Sequence, residues 1–478
     1  MSIQCQILSE DDKHKIHAES LRILTEVGAK FHSDKALDIL KRNGAKVDND
    51  TGIARIPEEM VQQALETAPK SFVLGSRLPE NDFQLPSSYS GYVLDNGGIY
   101  TRDFNTGERR PINYQDHIDF LRVFDEMQLA SAIWPASVDE FPKHSANVRE
   151  DVSSFIYSTR HIQDELGHPA EVDYIVEAMV AILGDEDAVK ERHLYSVIYC
   201  TLAPLVHEGE MSEAYLELSQ YDAPICVFPM PCAGSTGPAS LFSNIAMGNA
   251  EALSALVLFQ MARPGTPIIF GDASDSTNFA NGGFLEGSPE MVLQTAARGE
   301  MANFYNLPDT QTGCLTDAKD HGSQAVMEKM LTTLPLVMMG VDLVQGPGAL
   351  ETSNMMTLEQ IVVDDEIACM CKRIKDGVDM SEAKNYFDDI REVKPGGHFL
   401  TRDSTLLACR SNEFFMPRLA DRHTFDQWVA LGRPDIYDKA REKVAEILAS
   451  PQKNPLPDDV VGQLEDIMRR SDEELKPE

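Results

Sequence analysis

Residues 342–366 read DLVQGPGALETSNMMTLEQIVVDDE. Leu343 and Val344 form a short apolar run that breaks at once into Gly346-Pro347-Gly348. Glu351 and three small polar residues, Thr352, Ser353 and Asn354, come next. Thr357 then stands as a helix N-cap, and Leu358, Ile361, Val362 and Ile367 recur at helical spacing. The pattern is a strand, a loop able to approach a ligand closely, and a helix. In a parallel β/α protein such a loop lies at the carboxyl end of its strand, where chemistry is placed. An ordinary connection shaped by glycine has the same signature, so the surroundings must decide.

Upstream the same unit recurs. Apolar β-rich runs at 132–138, 195–199, 224–229, 267–270, 308–312 and 342–345 alternate with helices at 173–183, 241–262, 289–304 and 324–334. The runs are short and nearly continuously apolar, as parallel strands covered on both faces are. Glycine, serine and proline follow several of them: CTLAPL from Cys200, PCAGSTGPAS from Pro231, GDASDS from Gly271. An early strand at 91–100 and a late one at 398–402 bring the count to eight βα-like units, which predicts a closed (β/α)8 barrel over residues 91–430. An open doubly wound sheet is the competitor, but no run is followed by GxGxxG or GxxxxGK[ST]. Residues 1–90 are expected to form a helical region packing on the barrel. There 16–27 is amphipathic, Asp34 is placed to cap a helix, and Pro57 opens another that runs to about Thr67. Residues 431–478 predict a charged helical extension, used for packing or for homo-oligomer formation.

The 478 residues are 42% hydrophobic, enough to bury a large core. Lys and Arg total 42 against 77 Asp and Glu, a formal charge of -35. That balance excludes nucleic acid and anionic membrane surfaces as partners and favours cations. No run reads as a membrane span, and the N-terminal MSIQCQILSEDDKHKIH is too polar for a secretory signal. Eight cysteines without a regular framework fit a reducing, cytoplasmic setting.

Ten pieces, in order and at matching spacing, resemble the trimethylamine methyltransferase superfamily. They are IHAESLRILTEVGAKF from Ile16, VDNDTGIARIPEEMVQQALETAPKSF from Val47, TGERRP from Thr106, PMPCAGSTGPASL from Pro229 and GNAEALSALVLFQMARPG from Gly248. GSPE from Gly287, GCLTDAK from Gly313, LEQIVVDDEI from Leu358, GGHFLTRDSTL from Gly396 and FMPRLADRHTFDQW from Phe415 follow. The resemblance implies a TIM barrel. It also implies methyl transfer from a methylated amine to Co(I) cobalamin carried by a separate, cognate corrinoid protein. The chain looks like the non-pyrrolysine branch, which acts on quaternary amines such as glycine betaine, proline betaine or carnitine. Pyrrolysine in the archetypal enzymes lies on a late barrel loop. The matching region here, 346–354, holds ordinary residues, with Ser353 and Asn354 the candidates for that position. Where many relatives read HPHT, this chain has Arg402-Asp403-Ser404-Thr405.

The implied chemistry sets the candidates. A quaternary ammonium leaves as a neutral amine, so no general acid is needed. The site must hold the cation, align a methyl group and exclude water. An aromatic or acidic lining does this. Tyr100 and Phe104 flank the first loop, with Tyr92 just before it; Trp134 lies on the 132–138 strand, with Asp139 and Glu140 just past its end; Glu351 and Asp317 lie in late loops. Core packing, solvation or a structural hydrogen bond is the plainer role for each. Gly346, Gly348, Ser353 and Asn354 are expected to face the corrinoid. A substrate carboxylate is expected to meet His161, Arg160, Arg102 or His321. The alternative is a zinc-dependent barrel methyltransferase acting on another donor, with Cys200, Cys232 and Cys314 beyond their strands. No CxxC or HxC spacing supports it, Cys369 and Cys371 point to different helix faces, and no metal is expected on this chain. A barrel that binds without catalysis is the third reading.

Overall fold

Eight parallel strands close into a barrel in chain order in the computed structural model, which describes residues 5–476 apart from Asn96. They are β1 (Gly91–Leu94), β2 (Ala130–Ile133), β3 (His161–Asp164), β4 (Tyr195–Tyr199), β5 (Ile225–Val227), β6 (Ile268–Asp272), β7 (Asp309–Thr312) and β8 (Leu343–Gln345). A helix follows each: α1 (Tyr114–Asp125), α2 (Ala146–Tyr157), α3 (Val172–Leu183), α4 (Gly209–Leu218), α5 (Leu241–Ala262), α6 (Pro289–Phe304), α7 (Ser323–Met339) and α8 (Leu358–Asp376). Closure comes from β8 on β1, where Leu343 pairs with Gly91 and Gln345 with Val93. Val93, Ala132, Ile198, Cys226, Ile269 and Leu343 fill the interior, and the hairpin Phe72–Leu74/Phe83–Leu85 plugs its amino-terminal end.

Two strand expectations need correction. Residues 398–402 form no strand; they are a turn before the short helix Asp403–Cys409, and Leu400 is 84% exposed. The missing strand is β3, HIQD, which has too few apolar residues to read as one. The side chains of His161 and Gln163 point into the barrel and are satisfied there. His161 Nε2 shares a hydrogen bond with Ser196 Oγ (2.8 Å), Gln163 Nε2 donates to Ser196 Oγ (3.0 Å), and Gln345 Nε2 donates to Gln163 Oε1 (3.0 Å). Buried polar groups with partners cost little, so a strand need not be apolar to be buried. The early run at 91–100 also divides, into β1 and a separate strand, Tyr100–Arg102.

Contrary to expectation, one helix, α5, is long and apolar enough to cross a bilayer, but it is buried along nearly its whole length. Its polar residues are tied inside the protein: Asn249 Nδ2 donates to Tyr305 Oη (2.8 Å), and Glu251 accepts from the Leu205 amide (2.7 Å). It is a core helix.

The amino-terminal region holds helices Glu10–Arg22, Asp34–Arg42 and Glu58–Thr67 and a small sheet, packed on α5. Ser33 rather than Asp34 caps the second helix, its Oγ accepting from the Ala36 amide (3.1 Å). At the other end, Ile436–Ala449 packs on α8 and Asp458–Glu474 on α2 and α3.

Candidate active site at the barrel mouth

Above β8 the chain turns on glycine. Gly346 and Gly348 have φ of 138° and 91°, and a Cβ on Gly346 would lie 2.0 Å from the Gly313 carbonyl oxygen. No other residue fits this position. Lys329 of α7 secures the turn from beneath. Its Nζ donates to the carbonyls of Cys314 (2.6 Å) and Gly346 (3.4 Å) and pairs with Asp364 (2.8 Å), with both side chains fully buried. Asp364 also accepts from the Gly348 amide (2.8 Å).

The loop then folds as a hairpin, Ala349–Leu350 against Met355–Met356. Its second arm pairs with Tyr100–Arg102, which pairs with Arg109–Pro111. The first and last loops of the barrel thus make one sheet. At the hairpin tip Glu351, Thr352 and Ser353 all adopt left-handed backbone, with φ of 58°, 56° and 53°. Such a conformation costs about 1–2 kcal/mol per residue outside glycine. It persists because the tip is held from several sides. The Glu351 amide donates to the Ala318 carbonyl (2.7 Å) and Arg109 forks its carboxylate (2.9 and 3.2 Å). Thr352 Oγ1 donates to Asp317 Oδ1 (3.2 Å), and Ser353 Oγ donates to Glu286 Oε2 (2.7 Å). Over-determined strain of this kind gathers at ligand sites.

Beneath the tip lies a cavity of about 540 Å³ at the carboxyl ends of the strands. Asp95, Trp134, Glu165, Phe228 and Ala273 each stand one residue past a strand end and line it; Thr312 and Gln345 end β7 and β8. Asp275 and Glu286 enter from the β6 loop, Met230 and Cys232 from the β5 loop, and Gly346, Thr352, Ser353 and Asn354 from the β8 loop. Trp134 is 8% exposed, sits edge-to-face with Phe228 at 6.1 Å, and donates from Nε1 to Asp164 Oδ1 (2.9 Å).

Four carboxylates line the cavity, and none of the described lining residues is Lys, Arg or His. Burial lifts three of these acids above the ordinary carboxyl range. For Asp275 the Cys232 thiol and the charges of Asp272 and Asp317 add to it. For Glu286 the Asp275 and Asp95 charges add, against the Ser353 hydroxyl. Glu165 is lifted by burial and eased by a hydrogen bond from Cys200. The free site therefore resists full ionisation, and a positive charge placed among these acids would favour their ionised form. It follows that Asp275→Asn should stabilise the ligand-free protein by about 0.5–2 kcal/mol at pH 8. The sign follows from linkage. The folded value lies above the unfolded one, so Asp275 erodes stability as pH rises from the unfolded value towards the folded one, and the gain vanishes in acid. Urea titrations at both pH extremes measure it.

Of the residues expected from sequence, Trp134, Gly346, Ser353 and Asn354 line the cavity. The others stand elsewhere. Tyr100 lies beneath the Arg109 guanidinium (3.5 Å), within the small cluster around Leu350 and Met355. Phe104 lies against Arg441 (4.1 Å). Glu140 accepts from the Tyr114 amide (3.0 Å) at the start of α1. Asp317 and Glu351 brace the loops, Asp317 also accepting from the Glu286 amide (2.9 Å), and Gly348 is fixed by Asp364. Sequence reasoning missed Asp95, Glu165, Phe228, Asp275 and Glu286. Three of these stand one residue past a strand end, but the expected strands at 91–100 and 224–229 ran too far and enclosed Asp95 and Phe228. Glu165 was hidden because β3 was not recognised.

The basic residues considered for a substrate carboxylate are engaged away from the cavity. His161 is pinned between the Gly75 carbonyl (2.9 Å) and Ser196 at the start of β3; Arg160 donates to Asn81 (3.1 Å) and the Asp125 carbonyl (2.8 Å). Arg102 pairs with Asp320, and His321 contacts Thr357 (2.8 Å) and stacks on Tyr437. Of the three thiols, Cys232 Sγ is 3.3 Å from Thr277 Oγ1, Cys200 bonds to Glu165 and Cys314 is fully buried. No set of three metal-ligating side chains occurs among the described residues.

A monomethylamine methyltransferase structure from Methanosarcina barkeri superposes with a TM-score of 0.55 at 12% identity, covering 92% of this chain and 88% of that one. A glycine betaine methyltransferase of Desulfitobacterium hafniense is 31% identical over 451 residues, 93% of this chain and 92% of the relative. A trimethylamine methyltransferase from the same species is 28% identical over 467 residues, covering 98% and 94%. The sequence model described as trimethylamine methyltransferase matches residues 2–476, and with the closed barrel this shows that the chain belongs to the trimethylamine methyltransferase family.

Proposed function

We propose that this chain transfers a methyl group from a quaternary ammonium to the corrinoid of a separate protein. The observation that carries the reading is the cavity itself, where Trp134 and Phe228 adjoin Asp275 and Glu286 at the strand carboxyl ends. Aromatic faces take ammonium methyl groups with little desolvation cost, and the carboxylates balance the charge. The leaving group is a neutral amine, so these side chains need not donate a proton. Their work is to hold the cation, aim one methyl outward and keep water from it.

The mouth suits a large partner surface. Phe284 and Met230, which line it, are 49% and 44% exposed, and a side chain at Gly282 would meet nothing within 4 Å. Gly346, Ser353 and Asn354 line the cavity on the β8 side, which supports the approach of a corrin there. The corrinoid supplies a nucleophilic cobalt that accepts the methyl group.

The test combines the purified chain with its corrinoid partner in the Co(I) state and follows the absorbance change on methylation. A quaternary amine should support it. Trimethylamine should be a poor donor, because the 346–354 loop carries only ordinary residues. Methylation by none of tetramethylammonium, choline, glycine betaine and carnitine, or by trimethylamine alone, refutes the proposal.

A further inference from the structure

The electrostatics of the cavity discriminate among ammonium substrates. Glu286 is 7% exposed; one carboxylate oxygen is held by Ser353, and the residue lines the cavity beside Asp275. Among the described residues the Asp275 carboxylate has no hydrogen-bond partner. Nothing basic answers them from the described lining. Most nearby basic groups are engaged, Arg109 on Glu351, Arg102 on Asp320, Lys329 on Asp364, and Arg298 on Asp272 and Asn249, while Lys319 of the β7 loop is exposed and is not among the residues lining the cavity. A substrate carboxylate would lose its hydration here and meet like charge at close range without a counter-ion. The trimethylammonium end of the same molecule would meet the Trp134 and Phe228 faces either way. The penalty therefore falls on the carboxylate alone.

We propose that this site selects a quaternary ammonium that bears no carboxylate, of the tetramethylammonium or choline kind, over a betaine. Asp275 and Glu286, which burial keeps from full ionisation in the free site, ionise as its counter-ions when the cation binds, and a substrate carboxylate opposes that ionisation and finds no positive partner in the described lining. The inference takes the ligand class from the methyl-transfer reading, but its binding test stands apart from turnover.

The experiment is calorimetric titration of the full chain at pH 8 with tetramethylammonium, choline, glycine betaine and glycine betaine amide. The amide matches the betaine in shape, is neutral at that end and adds two N–H donors, and choline controls for those donors because it is uncharged there and carries a single hydroxyl. The amide should bind at least about tenfold more tightly than glycine betaine, a gap of the size set by one unscreened like-charge contact. Asp275→Asn and Glu286→Gln should each narrow that gap. Glycine betaine binding as tightly as its amide overturns the proposal. So does a gap that neither variant narrows, or binding of none of the four. Turnover with the corrinoid partner separates the two readings. If choline or the amide binds but methylates no cobalt, the methyl-transfer reading fails and the charge selection stands. If glycine betaine is the preferred donor, the charge selection fails and methyl transfer stands.

Discussion

Lys329→Met should unfold about 3–5 kcal/mol more easily than the parent chain, the cost of removing one partner of a buried ion pair. Lys329 and Asp364 are both fully inaccessible, and their geometry is good at 2.8 Å. Without the ammonium, Asp364 keeps the Gly348 amide and Gln360 Nε2 (2.7 Å) as donors but is left as an uncompensated buried charge. The carbonyls of Cys314 and Gly346 lose their common donor as well. Damage should therefore centre on the turn above β8, and hydrogen exchange there should rise more than in α5. Adding Asp364→Asn to Lys329→Met should recover part of the loss, since an amide is neutral and still accepts from Gly348. A single variant as stable as the parent by urea titration would show that the pair contributes nothing to holding this turn.

Trp134→Leu should weaken ammonium binding by roughly thirtyfold, the equivalent of about 2 kcal/mol for a desolvated cation–π contact. The residue lines the cavity and is nearly buried, so the site is dry enough for that magnitude. Leucine keeps apolar volume but removes both the ring face and the hydrogen bond to Asp164. Trp134→Phe separates these: it keeps a ring and loses only the bond, and it should bind within severalfold of the parent. The chain has only two tryptophans, so fluorescence change on titration reports the site in the parent. Tyr100→Ala is the companion measurement. Its ring is covered by Arg109, so its loss should loosen the loop sheet rather than the cation. An equal thirtyfold loss at Tyr100, with Trp134→Leu silent, would move the cation out of the cavity and into the loops.

Much of this architecture was legible because its cause is local. The runs at β4, β5, β6 and β8 are short and largely apolar, as parallel strands covered on both faces often are, whereas β7, DTQT, is polar and shows itself only by its place in the rhythm and by Gly313 after it. The 346–354 loop was legible for the same reason, since Gly346 and Gly348 advertise backbone that only glycine adopts. Where the cause is not local, the reading failed. β3 is polar because His161 and Gln163 find partners on strands far away in sequence, and the apolar residues at 398–402 are exposed rather than paired. The carboxylates divided along the same line. Charge count alone foretold an acidic protein that favours cations. It could not say that Asp275 and Glu286 converge on one cavity while Glu140 and Glu351 face other partners. That convergence depends on where the β6 loop lies beneath the β8 hairpin, and Ser353 and Asp317 fix it through contacts 67 and 31 residues away in the chain. Periodicity and glycine placement are short-range properties, so the sequence by itself determined the barrel and its most constrained loop. Which acids and rings face the cavity is set by closure of the sheet, and only the tertiary structure decided that.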